Sequence, residues 1–275
     1  MTLFLRDDFK RTWQSQDVFR LLNTMEGETF RDLEARRTFR FEFQDKGFFA
    51  KVHKGVGWKE IVENLLRFRK PVLGARNEWD ALNKLHALGI DTMTPVAFGE
   101  RGNNPASQQS FLVTEELSNM LSLEELCEQW QDKPPTIQLK RAVVDKLADI
   151  SRTLHNNGIN HRDYYFCHFL TPAGSFEAIS KGDKAALRLY LIDLHRARIR
   201  HSLPARWRIK DLSGLYYSAM DYGFTQRDIY RFIKRYTGQS LKEALHNDVA
   251  LWKKTEEKAK KLYARMIRKA GHPNY

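Results

Sequence analysis

Four positions along this chain carry side chains that handle charge and protons in settings built to hold them. Lys51 ends the apolar run Phe48-Phe49-Ala50-Lys51, and Glu78 lies near the start of a helical pattern. His161-Arg162-Asp163 follows a long helical pattern by a short connection, and Asp193 follows Leu189-Tyr190-Leu191-Ile192, thirty residues after Asp163. A lysine ammonium is a compact point charge suited to an anion. A carboxylate accepts a proton or holds a hard cation. Singly, each has a plainer reading: a snorkelling surface lysine, a solvated glutamate, a triplet that recurs by chance.

The elements that would position these residues fall into two groups. Strand patterns crowd the first 120 residues: Thr38 to Phe43, with Phe39, Phe41 and Phe43 alternating, then Phe48 to Val52 after a turn at Asp45-Lys46-Gly47. Val96 to Gly99 and Ser110 to Glu115 add two more. Helical spacing runs from about Lys59 to Phe68 and from Arg76 to Leu88, where Gly89 is the stop. Beyond residue 117 helices predominate: Leu123 to Trp130, Thr136 to His155, and most of the chain after a short strand at Leu187 to Ile192. The expectation is an α+β chain with a small sheet-rich lobe over residues 1–116 and a larger helical lobe over 117–275.

Composition bounds the function. The 275 residues are 42% hydrophobic and 29% charged, which is foldable and excludes wholesale disorder. Lys and Arg number 46 against 34 Asp and Glu, a formal charge of +12, so an anionic partner or substrate is expected. Two cysteines, Cys127 and Cys167, exclude a disulfide framework and a Cys-rich zinc module, and fit a reducing compartment. No stretch reaches the roughly 18 apolar residues of a membrane span, and Arg6-Asp7-Asp8 comes too early for a signal peptide. An intracellular protein is expected.

The order Lys51, Glu78, His161-Arg162-Asp163, Asp193 resembles the protein-kinase signature: strand lysine, helix glutamate, H-R-D loop and metal-holding Asp. Phe111 to Leu117 resembles the fifth strand and hinge, with Thr114 at the gatekeeper place. Lys210-Asp211-Leu212 resembles the start of the helix whose Asp braces the catalytic loop. Longer segments narrow the likeness: Asn160 to Leu170, Leu191-Ile192-Asp193-Leu194-His195-Arg196-Ala197, Arg206-Trp207-Arg208-Ile209-Lys210-Asp211-Leu212, Pro71 to Arg76 with Trp79, and the stretch from Gly57-Trp58 to Leu66. These resemble the lipopolysaccharide core heptose(I) kinases of Gram-negative bacteria over residues 4–265.

The resemblance implies a two-lobed kinase-like fold and ATP-dependent phosphorylation of the first heptose of the inner core, at O4. Phosphoryl transfer needs mainly positioning and charge neutralisation. Asp163 would orient the sugar hydroxyl and accept its proton. Asp193 would hold Mg²⁺ against the phosphates, Lys51 would hold the α- and β-phosphates, and Glu78 would hold Lys51. Backbone groups of Glu115 and Leu117 would meet adenine, and His161, Arg162 and Asp211 would brace the loop. The sequence also departs from ordinary kinases. No glycine-rich loop is present; Glu34-Ala35-Arg36-Arg37-Thr38 occupies that turn, with Gly27 the only nearby glycine. Arg36 or Arg37 replaces its phosphate contacts, or the turn is a solvated basic hairpin. His168 stands where a metal-binding Asn is expected, and imidazole suits Mg²⁺ poorly, which leaves a metal role for His168 open. Tyr165 replaces a lysine, and Leu194-His195 replaces Phe-Gly.

Arg206 and Arg208, just before Asp211, are expected to contact the acidic acceptor, with bonds inside the large lobe as the alternative. The helix of about Val249 to Lys269 is strongly basic and reads as packed with a solvated basic face rather than laid on a membrane. For the helix of Trp58 to Lys70, membrane or partner contact balances against packing. The resemblance implies the lipopolysaccharide inner core on lipid A as acceptor, from the cytoplasm at the inner membrane. An acidic protein such as an acyl carrier protein fits the charge. Rival readings are a kinase of the neighbouring Kdo sugar, a protein-tyrosine kinase, and a basic nucleic-acid module; the last leaves Lys51, Glu78, Asp163, Asp193 and Asp211 unexplained.

Overall fold

The structure, a computed structural model, describes residues 1–33, 35–66, 73–130, 132–175, 179 and 187–270. Glu34, Arg67 to Lys70, Pro71, Val72 and the side chain of Lys269 lie outside the described residues. The chain divides into two compact units: Met1–Ala87, Thr92–Ser118 and Asp193–Arg196 form one, and Leu88–Asp91, Asn119–Ile192 and Ala197–Tyr275 the other. The short segment Asp193–Arg196 thus belongs to the first unit although the sequence on either side of it belongs to the second.

The first unit is an antiparallel six-stranded sheet in the order β1-β5-β6-β4-β3-β2. Its strands are β1 (Thr2–Leu5), β2 (Glu28–Leu33), β3 (Arg36–Phe43), β4 (Lys46–His53), β5 (Pro95–Arg101) and β6 (Gln109–Glu115). Successive residues of a strand point to opposite faces, so the register sorts the side chains. Phe39 pairs with Ala50 and Phe41 with Phe48, which places this set on one face. Those residues are buried with Phe9, Trp13, Phe19, Phe111 and Val113, under α1 (Asp7–Trp13) and α2 (Val18–Thr24). The opposite face carries Lys51, paired across to Thr38 and Leu112, and Phe49, paired to Thr114. On the unit's helix α4 (Arg76–Ala87), Trp79 stacks on Phe98 with centroids 4.9 Å apart.

Two local expectations are corrected. The β3–β4 turn sits at Gln44 and Asp45, both at positive φ, one residue earlier than expected, so Lys46 and Gly47 already belong to β4. Two left-handed residues in a row give the tight hairpin turn that matches strand twist. Arg36, Arg37 and Thr38 lie in β3 and not in the turn before it. Helix α3 (Gly57–Leu66) buries Ile61 but leaves Trp58, Val62, Leu65 and Leu66 exposed.

The second unit is mostly helical: α5 (Leu123–Gln129), α6 (Ile137–Asn156), α7 (Ala205–Ala219), α8 (Gln226–Thr237), α9 (Leu241–Asn247) and α10 (Val249–Ala270). Val143, Leu147, Ile150 and Leu154 give α6 one buried face. Two small sheets join it: β7 (Met120–Ser122) with β9 (Phe169–Pro172) and β10 (Tyr190–Leu191), and β8 (Ile159–Asn160) with β11 (Arg198–Ile199). Helix α10 packs on α7 and keeps Lys253, Lys254, Lys260, Lys261, Arg265 and Arg268 in solvent, so it is a packed helix with a solvated basic face. An apolar cavity of about 470 Å³ lies in this unit, lined by Leu147, Phe166, Leu212, Ile233 and Trp252 among others. Among the described residues no helix is long and apolar enough to cross a membrane.

Candidate functional site

In the first unit, β4 and α4 bring Lys51 and Glu78 together. Lys51 Nζ lies 2.5 Å from Glu78 Oε1, and the Glu78 side chain is only 2% exposed. The acid sits in the first turn of α4, where the helix dipole favours a negative charge. A pair this buried is held by mutual need: removing one partner typically costs about 3–5 kcal/mol because the other charge stays buried.

The register explains what stands beside this pair. Arg36 pairs across to His53, two residues either side of the Thr38–Lys51 pair, so Arg36, Lys51 and His53 share a face. Arg36 Nε is buried and has no hydrogen-bond partner among the described residues. Arg37 points the other way: it bonds to the Met25 carbonyl at 3.0 Å and lies 4.2 Å over the Phe39 ring. Alternation along the strand thus leaves Arg36 on the Lys51 side and gives Arg37 a packing job. His53 was not singled out from sequence, although its i+2 spacing from Lys51 carried the signal. It is 6% exposed, and burial together with Arg36, Lys51 and His195 lowers its pKa to about 4.

Asp193 enters this unit in a left-handed conformation, φ 60°. The His195 Nδ1 hydrogen bonds Asp193 Oδ1 at 2.5 Å, so the histidine that replaces the usual glycine fixes the carboxylate's rotamer. Asp193 offers hard oxygen and remains partly exposed, at 32%. Among the described residues no group of three or more His, Cys, Asp or Glu could hold a metal alone. That donor set fits Mg²⁺, which is commonly held by one or two carboxylates with substrate phosphates and water. At the end of β6, Thr114 is buried on the Lys51 face, the Glu115 N–H donates to the Thr94 carbonyl, and the Glu115 carboxylate takes Arg6. Leu117 follows, half-buried.

In the second unit, the H-R-D loop is gripped through its main chain. Asp211, in α7 and 1% exposed, accepts from the His161 N–H at 2.7 Å and the Arg162 N–H at 2.9 Å. Both oxygens are engaged, which holds Arg162 at φ 80°, a conformation a non-glycine residue adopts only when its surroundings impose it. The His161 ring donates from Nε2 to the Ile192 carbonyl at 2.8 Å, tying the loop to the residue before Asp193. His168 donates from Nδ1 to the Asp163 carbonyl at 2.6 Å, so it closes the loop on itself. Asp163 is half-buried, and its carbonyl also accepts from the Tyr165 N–H at 3.1 Å. Gly214 was missed from sequence: a Cβ there would come 2.9 Å from the Tyr164 carbonyl oxygen, so only glycine lets α7 approach the loop so closely. Arg206 and Arg208, two residues apart on a helix, point in different directions; Arg206 lies over Trp207, and the charge of Arg208 acts on the buried Tyr236. The Cys127 thiol is buried and its pKa is raised by that burial, as fits a packing residue.

The strand lysine paired to a helix glutamate and the Asp-braced H-R-D loop define a protein-kinase-like chain, with a sheet-rich first part and a helical second. Residues 20–236 match the lipopolysaccharide kinase (Kdo/WaaP) family, and the chain belongs to that family. It is 47% identical over 268 residues, 98% of both chains, to the lipopolysaccharide core heptose(I) kinase WaaP of Pseudomonas aeruginosa. It is 46% identical over 266 residues to the protein of the same name from Escherichia coli, covering 97% of this chain and 98% of that one. A solved structure described as WaaP in complex with acyl carrier protein superposes with a TM-score of 0.80 at 42% identity, covering 96% of this chain and 100% of the other.

Proposed function

We propose that this chain transfers the γ-phosphoryl group of ATP to the O4 hydroxyl of the first heptose of the lipopolysaccharide inner core. The observation that carries the reading is the Lys51–Glu78 pair at 2.5 Å, formed by residues 27 apart in sequence. The choice of heptose over other acceptors rests on the near full-length relatives.

In this reading residues 1–116 form the nucleotide lobe and 117–275 the acceptor lobe. Lys51 holds the α- and β-phosphates, and Glu78 keeps its ammonium extended. Arg36 supplies the charge that a glycine-rich loop supplies elsewhere with N–H groups. The main chain at Glu115 and Leu117 meets adenine. Mg²⁺, when bound at Asp193, neutralises charge on the β- and γ-phosphates. Asp163 orients the sugar hydroxyl and takes its proton, a role typically worth about 10²–10⁴-fold. His168 serves the loop through its bond to the Asp163 carbonyl and is not assigned to metal. Arg206 and Arg208 are assigned to the acceptor side.

The acceptor sits on lipid A, so the chain works peripherally at the cytoplasmic face of the inner membrane. An acyl carrier protein is the protein partner this reading adds, supported by the charge of +12 and by the solved relative. The 470 Å³ apolar cavity is where an acyl chain would lie. The test is purified protein with labelled ATP, Mg²⁺ and core lipopolysaccharide lacking phosphate, with the labelled position determined. Label on heptose O4 is expected. Label on Kdo or on protein tyrosine, with heptose unlabelled, would overturn the reading.

A further inference from the structure

Two consecutive acids at the end of β6 are each tied to a different part of the first unit's sheet. Glu115 is the last residue of β6 and pairs across to Phe48 of β4. Beyond it the ladder stops. The Glu116 N–H still donates to the Gly47 carbonyl at 3.0 Å, and among the described residues no strand pairing includes Leu117 or Ser118. Side chains take over at that point. Arg6 Nη1 lies 2.5 Å from Glu115 Oε1, while Arg6 Nε and Nη2 hold the two oxygens of Asp8 at 2.9 and 2.7 Å. Arg40 Nε donates to both oxygens of Glu116, at 3.0 and 2.9 Å, and its Nη1 reaches Glu42 at 3.1 Å. Each guanidinium is thus fixed by an acid two residues on in sequence and spends another N–H on the 115–116 segment. The register puts Arg40 on the Lys51 side of the sheet: it pairs across to Phe49, which pairs to Thr114.

Gly47 makes room for the second of these grips. Glycine inside a strand weakens it and marks a place where something comes close. A Cβ on Gly47 would stand 1.7 Å from Glu116 Oε2 and 3.1 Å from Arg40 Nη2. Its φ is not positive, so it is space and not backbone conformation that asks for glycine here. Ion pairs as exposed as these add little to stability. What they add is a fixed geometry, because a charge-assisted hydrogen bond holds its partners at short range.

We propose that Arg6 and Arg40, with Gly47 as the space for the second grip, are positioning residues that set the main chain of residues 115–117 to read a purine base. A base met by main-chain N–H and C=O groups depends on their distance and angle, and a displaced segment misplaces them together. Lys51 and Arg36 lie elsewhere on the sheet and keep their hold on the phosphates, so the two ends of the nucleotide are set by separate devices. That this segment meets adenine rests on the function proposed above.

The test reads base recognition apart from phosphate binding. The full chain is titrated calorimetrically, with Mg²⁺ present, with ADP, GDP and inorganic tripolyphosphate. The native chain should bind ADP at least tenfold more tightly than GDP. Arg40→Gln and Gly47→Ala should each weaken ADP tenfold or more, shrink its preference over GDP, and leave tripolyphosphate within twofold. Arg40→Lys should recover part of the loss. Arg6→Gln should act in the same direction but less, since the Glu115 N–H is also held by the Thr94 carbonyl. The atom in the way at Gly47 is the tip of a flexible side chain, so Gly47→Ala keeps the fold and decides the matter where Arg40→Gln melts early. An unchanged preference in Arg40→Gln and Gly47→Ala, or equal loss of ADP and tripolyphosphate, would overturn the positioning role and leave the proposed function standing. A native chain that binds none of the three ligands would overturn the proposed function, and the positioning role with it.

Discussion

Cations are treated in opposite ways in the two units. Lys51 meets one carboxylate at 2.5 Å, on a strand and a helix that bury the pair. Arg162, Arg200 and Arg206 crowd round an indole instead. The first arrangement is complete in itself: the charge is balanced, its direction fixed, and its loss would leave a buried acid alone. The second gathers guanidiniums around a ring, and among the described residues Arg200 and Arg206 stand in no carboxylate pair. A paired cation presents a ligand with a preset geometry, and cations held by a ring present it mainly with attraction. The proposed reaction asks for both, a nucleotide held in one orientation and an acidic glycan drawn in.

The largest effect is expected at Asp163, whose role belongs to neither group. Asp163→Ala should lower turnover by about 10²–10⁴-fold while ATP still binds. Turnover near that of the native chain would remove the base from Asp163.

Breaking the balanced pair comes next. Glu78→Gln should destabilise the first unit by up to about 3–5 kcal/mol and raise the KM for ATP. Thermal denaturation and nucleotide titration check the two parts. A variant with unchanged melting and unchanged KM would show that Lys51 does not depend on Glu78.

His53 gives the same cluster a pH signature. In the folded chain burial, with the nearby charges of Arg36 and Lys51, keeps it neutral down to about pH 4; unfolded, it takes up a proton near 6.5. Its contribution to stability is therefore whole above pH 6.5 and is lost as pH falls towards 4, by up to about 3 kcal/mol. In denaturant titrations across that range, His53→Gln should flatten the acid-side decline. An identical slope in both proteins would contradict the burial argument.

Gly214→Ala should cost about 1–3 kcal/mol, since the new Cβ would press the Tyr164 carbonyl and either α7 or the H-R-D loop must shift. Because the loop carries Asp163, kcat should fall with the melting temperature. A fall in neither would mean that the loop yields freely.

The Lys51–Glu78 pair was legible in sequence and the arginine group around Trp207 was not. Lys51 sits in an alternating strand and Glu78 at the start of a helix with clear spacing, so local pattern placed both. The faces of β3 needed the register: Arg36 and Arg37 look equivalent as letters, yet alternation sends one towards Lys51 and the other onto Phe39. Helices α1 and α2, seven residues each, carry too few turns to show a period, although Phe9 and Trp13 are four apart and both buried. Arg162, Arg200 and Arg206 meet only because β8 pairs with β11 and α7 packs behind the loop, long-range facts that no local window contains. Arg206 and Arg208 share a motif, but two residues apart on a helix they point in different directions.

The most direct measurement of this division is the KM for ATP and for core lipopolysaccharide at two ionic strengths, in the native chain, Glu78→Gln and Arg206→Gln. The account predicts a split. Glu78→Gln raises the KM for ATP with little change for the glycan. Arg206→Gln raises the KM for the glycan and reduces its salt dependence, because exposed charge contacts are screened over about 8–10 Å. Both constants moving together in both variants would contradict it.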